Sequence, residues 1–290
     1  MASTHRPVLV FEVVDLLSGR DVVIDATVGA GGHAEALLQA GVRSVVGIDR
    51  DASALAEAEA RLARFGDRFR SALGRFSSLG DVVRRIGLTE VGGVLFDLGV
   101  SSMQLARADR GFTYRSAGPL DMRMGSDALT ARDVVNTYPE RELARIIQDY
   151  GEDRFARRIA RAVVRARSRA HLESTEELAA VVAGAVPRRR GGPHPARRTF
   201  QAIRIEVNAE LEELAASLPQ AASLLRPGGR LVVISYHSLE DRMVKRFVSA
   251  DPRLASLTRK VIRPSPVESS ANPRARSARL RAAERLEAAA

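Results

Sequence analysis

Short apolar runs alternate with longer stretches of helical periodicity through the first hundred positions, the rhythm of β-α-β units that build a parallel sheet. Four runs are compact enough to be strands: Val22 to Ala26, Ser44 to Asp49, Phe69 to Leu73 and Gly93 to Leu98. The first, second and fourth carry an aspartate at or near the C-terminal end, the edge at which parallel sheets bind ligands. Between the second and third, Asp51 to Phe65 repeats Ala and Leu at helical spacing, with Glu57, Glu59, Arg61 and Arg64 interspersed. That pattern predicts an amphipathic crossover helix. A fifth strand, Arg230 to Ser235, is predicted after a helix over Asn208 to Leu225 that Pro227-Gly228-Gly229 closes.

The gap between strands four and five is too long for a crossover and too rich in helical pattern for a loop. It predicts a helical domain at 106–200 inserted into an α/β core made of 1–105 and 201–290, with a doubly wound, mostly parallel sheet. The longest helix predicted in this insert, Glu152 to Arg169, puts Arg154, Arg158, Arg161 and Arg165 along one side and Phe155, Ile159, Ala162 and Val163 on another. A solvated arginine face is the plain reading of that side, and a phosphate-binding face the sharper one. A basic, proline-rich linker from Pro187 to Pro195 leads back to the core, and the last forty residues read as partly extended.

Composition narrows the classes. With 45% apolar and 28% charged residues in 290, the chain buries a core, which excludes collagen-like and disordered classes. No run approaches the roughly 18 to 20 apolar residues of a membrane helix, and Glu12 and Asp15 interrupt the N-terminal stretch where a signal peptide is apolar. A cytoplasmic protein with no membrane partner is expected, and no obligate protein partner is evident. The absence of cysteine excludes disulfides, thiolate metal sites and any cysteine nucleophile. Net charge is +10, and all bases but Lys245 and Lys260 are arginine, a preference that a GC-rich coding bias also produces. Residues 151–200 hold 12 arginines against 5 acids, and residues 252–290 hold 9 bases against 3. Such segregation points to a polyanionic partner.

The loop Asp25-Ala-Thr-Val-Gly-Ala-Gly-Gly-His33 joins the first strand to a helix, and its glycines let backbone approach a nucleotide-type cofactor. Glycine turns also have purely structural causes, and Gly29-x-Gly31-x-x-Ala34 satisfies the relaxed dinucleotide fingerprint as well. Asp49, 24 residues after Asp25, stands where an acid accepts hydrogen bonds from ribose hydroxyls. A nicotinamide oxidoreductase would use the same two features. The fourth strand leads into Leu95-Phe-Asp97-Leu-Gly-Val-Ser-Ser102-Met-Gln104, where Asp97 is either a turn cap or a carboxylate facing cofactor and acceptor together.

Further strings make the pattern specific: His5-Arg-Pro-Val-Leu9, Gly47-Ile-Asp-Arg-Asp51, Arg110-Gly-Phe112, Gly118-Pro-Leu-Asp-Met-Arg-Met124, Tyr150-Gly-Glu152, Arg198-Thr-Phe-Gln-Ala202, Ser235-Tyr-His-Ser-Leu-Glu-Asp-Arg242 and Asn272-Pro-Arg-Ala-Arg-Ser277. With them the chain resembles, over nearly its full length, the bacterial small-subunit ribosomal RNA cytosine-N4 methyltransferases. The resemblance implies a class I methyltransferase fold with a helical insert, S-adenosyl-L-methionine as cofactor, and methylation of a cytosine N4 amine in the decoding region. It places cofactor contacts on Gly31, Gly32, His33, Asp49, Phe76, Asp97 and Gln104. Many amino-methylating enzymes carry an Asp-Pro-Pro-Tyr type string after the fourth strand, whereas this chain reads Asp97-Leu-Gly-Val, so the usual aromatic clamp on the base is missing.

The missing cysteine separates two cytosine chemistries, since methylation at ring carbon C5 normally proceeds through a cysteine adduct and N4 methylation needs none. Asp97 is the candidate acceptor for the amine proton and His237 the second candidate. In a competing reading of that segment, Ser238 and Asp241 form a capping box, with Leu239 and Val244 in the core. Arg154, Arg158 and the run Arg188, Arg189 and Arg190 are the candidate phosphate contacts, helped by the basic C-terminal segment. The expected partner is small-subunit ribosomal RNA or the assembled subunit. A non-catalytic RNA-binding assembly protein would explain the charge without the strand-end carboxylates. The histidines and acids show no metal-ligand spacing, so no metal requirement is expected.

Overall fold

In the computed structural model, which describes residues 7–187 and 192–287, the apolar runs become seven strands. They are β1 (Val22–Asp25), β2 (Ser44–Asp49), β3 (Phe69–Leu73), β4 (Val91–Asp97), β5 (Leu225–Ser235), β6 (Leu254–Ser256) and β7 (Arg279–Arg285). They form one sheet ordered β3-β2-β1-β4-β5-β7-β6. The first five pair in parallel, and β7 runs antiparallel to both its neighbours. The chain winds outward in one direction from β1 and in the other from β4. Their C-terminal ends therefore flank the switch point, where open α/β sheets place their ligand crevice.

Alternation along the strands divides the core in two. Ile24, Val94, Phe96, Leu231 and Val233 face one layer, with α4 (Leu79–Arg85), α11 (Glu210–Leu224) and α12 (Ser238–Ala250) packed on it. Val23, Leu95, Val232 and Ile234 face the other, covered by α1 (Val10–Leu17), α2 (Gly32–Gln39) and α3 (Ala52–Leu62). Because both faces are covered, the central strand is apolar without a break: Val91 through Phe96 are buried and only Asp97 reaches the surface. The crossover helix α3 starts where the sequence predicts, with Asp51 as N-cap accepting from the Ser53 amide, and ends at Leu62, ahead of the expected Phe65.

Contacts divide the chain into two compact units, Met1–Gly99 with Leu211–Ala290, and Val100–Glu210. The breaks fall at 99/100 and 210/211, compared with the expected 105/106 and 200/201. The second unit consists of α5 (Ser102–Ala106), α6 (Ala131–Thr137), α7 (Glu140–Asp149), α8 (Ala156–Arg167), α9 (Thr175–Ala185) and α10 (Ala196–Asn208) around its own core. Capping boxes Thr130/Asp133 and Ser174/Glu177 start α6 and α9.

Several family strings in this unit are structural. Gly118 passes so close to its neighbour that a Cβ there would lie 1.9 Å from the Ala108 carbonyl oxygen. Met122 and Met124 are pinned by the Asn208 side chain, whose Nδ2 donates to the Met122 carbonyl and whose Oδ1 accepts from the Met124 amide, each at 2.8 Å.

Four expectations need correction. Helix α8 begins at Ala156, not Glu152, because Glu152 takes a left-handed φ of 48° that breaks the helix before Phe155. The helix expected from Asn208 to Leu225 is α11 and starts at Glu210, because Asn208 ends α10 and Ala209, left-handed at φ 48°, separates the two. Strands β6 and β7 were hidden in the C-terminal segment. Part of the basic charge of that segment is used internally, since Arg281 forks onto Asp241 and Arg285 Nη1 donates to the carbonyls of Ala222, Ser223 and Leu225, while Arg259, Lys260 and Arg263 are exposed. Among the described residues, no helix is long and apolar enough to cross a membrane.

Candidate functional site

Strand register brings the acids to one edge. Asp25 pairs with Leu95 and Gly47, each two residues before the aspartate that ends its strand, and Asp97 pairs with Ile234, so the aspartates ending β1, β2 and β4 gather at one edge of the sheet. Asp25 is buried, accepting only a long 3.3 Å bond from the Thr27 amide. Burial pushes its carboxyl from an ordinary 3.8 up to about 7, against the opposing pull of His33. Burial also raises the Asp49 carboxyl. Its Oδ2 accepts from the Gly29 amide and its Oδ1 from the Asp51 amide, both at 2.9 Å, so Asp49 clamps the glycine loop to the end of β2.

Within that loop Gly29 and Gly31 adopt φ of 50° and 79°, where glycine is favoured. A Cβ on Gly31 would meet Leu62 and Ala58, and one on Gly32 would meet Pro7. These glycines therefore seat the loop against α3 and the N-terminal segment, while their backbone remains the surface offered to a ligand.

Asp97 is the most constrained group at this edge. Its amide donates to Thr27 Oγ1 at 2.6 Å, and its Oδ1 accepts from the Tyr236 hydroxyl at 2.7 Å. Oδ2 lies 3.6 Å from His33 Nδ1, and 24% of the side chain stays exposed. Burial raises the Asp97 carboxyl, opposed by His33 and by the Tyr236 hydrogen bond. The Tyr236 hydroxyl is pushed well above its ordinary 10, by burial and then by Asp97. It therefore stays protonated and acts as a donor.

The remaining candidates divide. His33 is buried and its ring is engaged with the Val8 carbonyl at 2.9 Å, so it faces Asp97 and the N-terminal segment. Phe76 follows β3 and packs edge-on to Phe96, with ring centres 5.8 Å apart. Gln104 lies in the second unit, on α5, where its Oε1 accepts from the Ser101 amide at 2.9 Å.

His237 is the N-cap of α12, in the place that the sequence assigned to Ser238. Its Nδ1 accepts from the Glu240 amide, and Glu240 Oε2 returns to the amides of Tyr236 and His237. Asp241 instead holds Arg281. Histidine seldom caps helices, which is why the His-x-x-Glu spacing passed unnoticed. Tyr236 was missed for another reason: its partner Asp97 is 139 residues away.

Arg154, Arg158, Arg161 and Arg165 are exposed, while Ala156, Ile159, Ala160 and Val163 of α8 are buried. The amphipathic helix is therefore real, with Ala160 in the buried stripe and Ala162 half-buried. Arg154 lies 4.6 Å from the Phe155 ring centre. Arg188, Arg189 and Arg190 lie outside the described residues.

A switch-point crevice, a glycine turn after β1, an acid ending β2 and a seven-stranded sheet with β7 as its reversed strand define a class I methyltransferase. The chain belongs to the MraW methylase family, whose model matches residues 2–286. Similar proteins named ribosomal RNA small subunit methyltransferase H occur in Acidiphilium cryptum (48% identity, 98% of each chain), Acidothermus cellulolyticus (49%, 98% of this chain and 94% of that one) and Heliobacterium modesticaldum (47%, 99% and 100%). Among solved structures, an rRNA methylase from Streptococcus thermophilus is 12% identical over 96% of this chain and 94% of that one, with a TM-score of 0.46.

The cofactor of this class, S-adenosyl-L-methionine, fits the donor set. It is cationic at sulfur and at its amino group and carries no phosphate. Three neighbouring carboxyls, Asp25, Asp49 and Asp97, whose charges reach one another, suit a cation. They would repel the pyrophosphate of a nicotinamide dinucleotide.

Asp25 also sets a pH dependence of stability. Its folded-state pKa lies above its unfolded value, so protonation favours the fold at low pH, and that contribution is lost as pH rises from about 4 to about 7. Asp25→Asn is expected to add about 1–4 kcal/mol at pH 8 and almost nothing at pH 4. Thermal melts at the two pH values check it.

Proposed function

We propose that this protein transfers the methyl group of S-adenosyl-L-methionine to the exocyclic N4 amine of a cytosine in the decoding region of small-subunit ribosomal RNA. The observation that carries the reading is Asp97: a carboxylate at the switch point, fixed at its backbone and at one oxygen, in a family of rRNA methylases and in a chain without cysteine. When bound, the cofactor supplies an electrophilic methyl with its own leaving group. The protein then has to orient the amine in line with that methyl and take one proton. Orientation of this kind is worth on the order of 7–11 kcal/mol.

The backbone at Gly31 and Gly32 and the rim formed by His33 and Asp97 would hold the amino-acid end, Asp49 the ribose hydroxyls and Phe76 the adenine face. Asp97 would accept the amine proton. His237, engaged as a helix cap, is the weaker candidate. A non-catalytic RNA-binding role would leave the Asp97 arrangement without a purpose.

The exposed Arg154 and Arg158 would hold RNA phosphates while the cytosine is unstacked, with Arg188, Arg189 and Arg190 as further candidate phosphate contacts. Reversing both charges (Arg154→Glu with Arg158→Glu) is expected to weaken RNA binding about tenfold or more. It should also flatten the plot of log affinity against log salt by about 1.5–2, with cofactor affinity unchanged. An unaltered salt slope would remove α8 from the interface.

The reading itself is tested by counting methyl label transferred from labelled cofactor to assembled small subunits and to naked ribosomal RNA, both from cells lacking the protein. Label in either substrate supports it, and the better one identifies the natural form. No label in either overturns it.

A further inference from the structure

We infer that Tyr236 is a positioning residue: its hydroxyl occupies Asp97 Oδ1, so that Oδ2 alone is presented to the proton leaving the target amine. This rests on the methyl-transfer reading above and names a division of labour within that site.

The geometry leaves the carboxylate little freedom. The Tyr236 hydroxyl donates to Oδ1 at 2.7 Å, and Thr27 Oγ1 accepts from the Asp97 amide at 2.6 Å. Pairing of Asp97 with Ile234 brings the ends of β4 and β5 together, and the amide of Tyr236 is held by Glu240 Oε2 at 2.8 Å. Gly99, at φ 88°, takes the left-handed turn that leads the chain out of β4 beside the Tyr236 ring.

Oδ2 is treated differently. Its neighbour, His33 Nδ1, stands 3.6 Å away, beyond hydrogen-bond range. The other nitrogen of that ring, Nε2, must carry a hydrogen because it faces the Val8 carbonyl at 2.9 Å. The His33 ring is thus held by the N-terminal segment, and no hydrogen bond from it occupies Oδ2.

The balance closes without a co-reactant. The bond from N4 to the methyl carbon forms as the sulfur–carbon bond breaks, with that pair remaining on sulfur, and the proton shed by N4 passes to Asp97 Oδ2. Other charges face the pair: Asp25 from β1, His33 from α2 and Glu240 from α12 toward Asp97, and Glu268 and Arg274 toward Tyr236.

The test compares wild type with Tyr236→Phe. In ligand-free protein labelled with 13C at aspartate carboxyls, with Asp97 assigned from an Asp97→Asn spectrum, losing the donor should move the Asp97 midpoint upward by about one pH unit. The midpoint of kcat against pH should rise with it. At pH 7, kcat should fall about ten- to a hundredfold, while cofactor Kd by calorimetry stays within about twofold.

Equal Asp97 midpoints in the two proteins would overturn the inference, as would a loss confined to KM. If Tyr236→Phe does not fold, incorporation of 3-fluorotyrosine, a stronger donor, should shift the midpoint downward, and no shift overturns it equally. Wild type inactive toward RNA would instead be the failure of the methyl-transfer reading, visible before any variant is made.

Discussion

Asp97→Asn is expected to reduce methyl transfer at least a thousandfold while the protein stays folded and still binds its cofactor, weakened by no more than about tenfold. The amide oxygen of asparagine can still accept from Tyr236, so the local hydrogen bonding survives, but no atom remains that takes up a proton at neutral pH. Removing a positioned general base typically costs 10²–10⁴ in rate. A further loss follows because the charge that favours the reacting amine is gone. The fold should not suffer, since burial already disfavours the Asp97 charge, and replacing it with a neutral isostere relieves that cost. Single-turnover kinetics and calorimetry separate the two effects. A rate within tenfold of wild type would remove Asp97 from the chemistry.

The second large effect concerns stability. Gly118→Ala is expected to destabilise the protein by about 3 kcal/mol or more, because its Cβ would sit 1.9 Å from the Ala108 carbonyl oxygen and 2.9 Å from the carbonyl carbon. The obstacle is backbone, so no side chain can swing aside, and the segment must move as a whole. Gly111→Ala should be at least as severe. Its Cβ would lie 2.1 Å from the Pro119 carbonyl oxygen, and its φ is 70°. Gly184, exposed inside α9, supplies the contrast. Nothing lies within 4 Å of its would-be Cβ, so Gly184→Ala should stabilise by about 0.5–1 kcal/mol. Denaturant titrations of the three variants check the ordering, and equal midpoints would contradict it.

The same contrast explains what could be read in the sequence. The four N-terminal strands were legible because each is a short apolar run ended by turn residues, and β2 and β3 match their predicted bounds. Strand β7 was not, because Arg279, Arg281 and Arg285 mask the alternation of Leu280 and Ala282, and their charge reads as surface. Arg281 and Arg285 bind the chain's own carboxylates and carbonyls, information that exists only once distant segments meet.

Asp49 and Asp97 were legible as strand-end acids, a local signal. The grouping of Thr27, His33 and Tyr236 around Asp97 joins residues separated by 64 to 139 positions, and no local pattern announces it. Strings such as Gly118 to Met124 were conspicuous as part of the family resemblance, yet their cause is close backbone packing rather than chemistry.

The most direct test is a nucleoside analysis of small-subunit RNA treated with cofactor and either wild type or Asp97→Asn, digested and resolved by mass spectrometry. One new N4-methylcytidine with wild type, and none with Asp97→Asn over the same time, is the predicted result. A methyl group on a ring carbon, or N4-methylcytidine formed at an undiminished rate by Asp97→Asn, would contradict it.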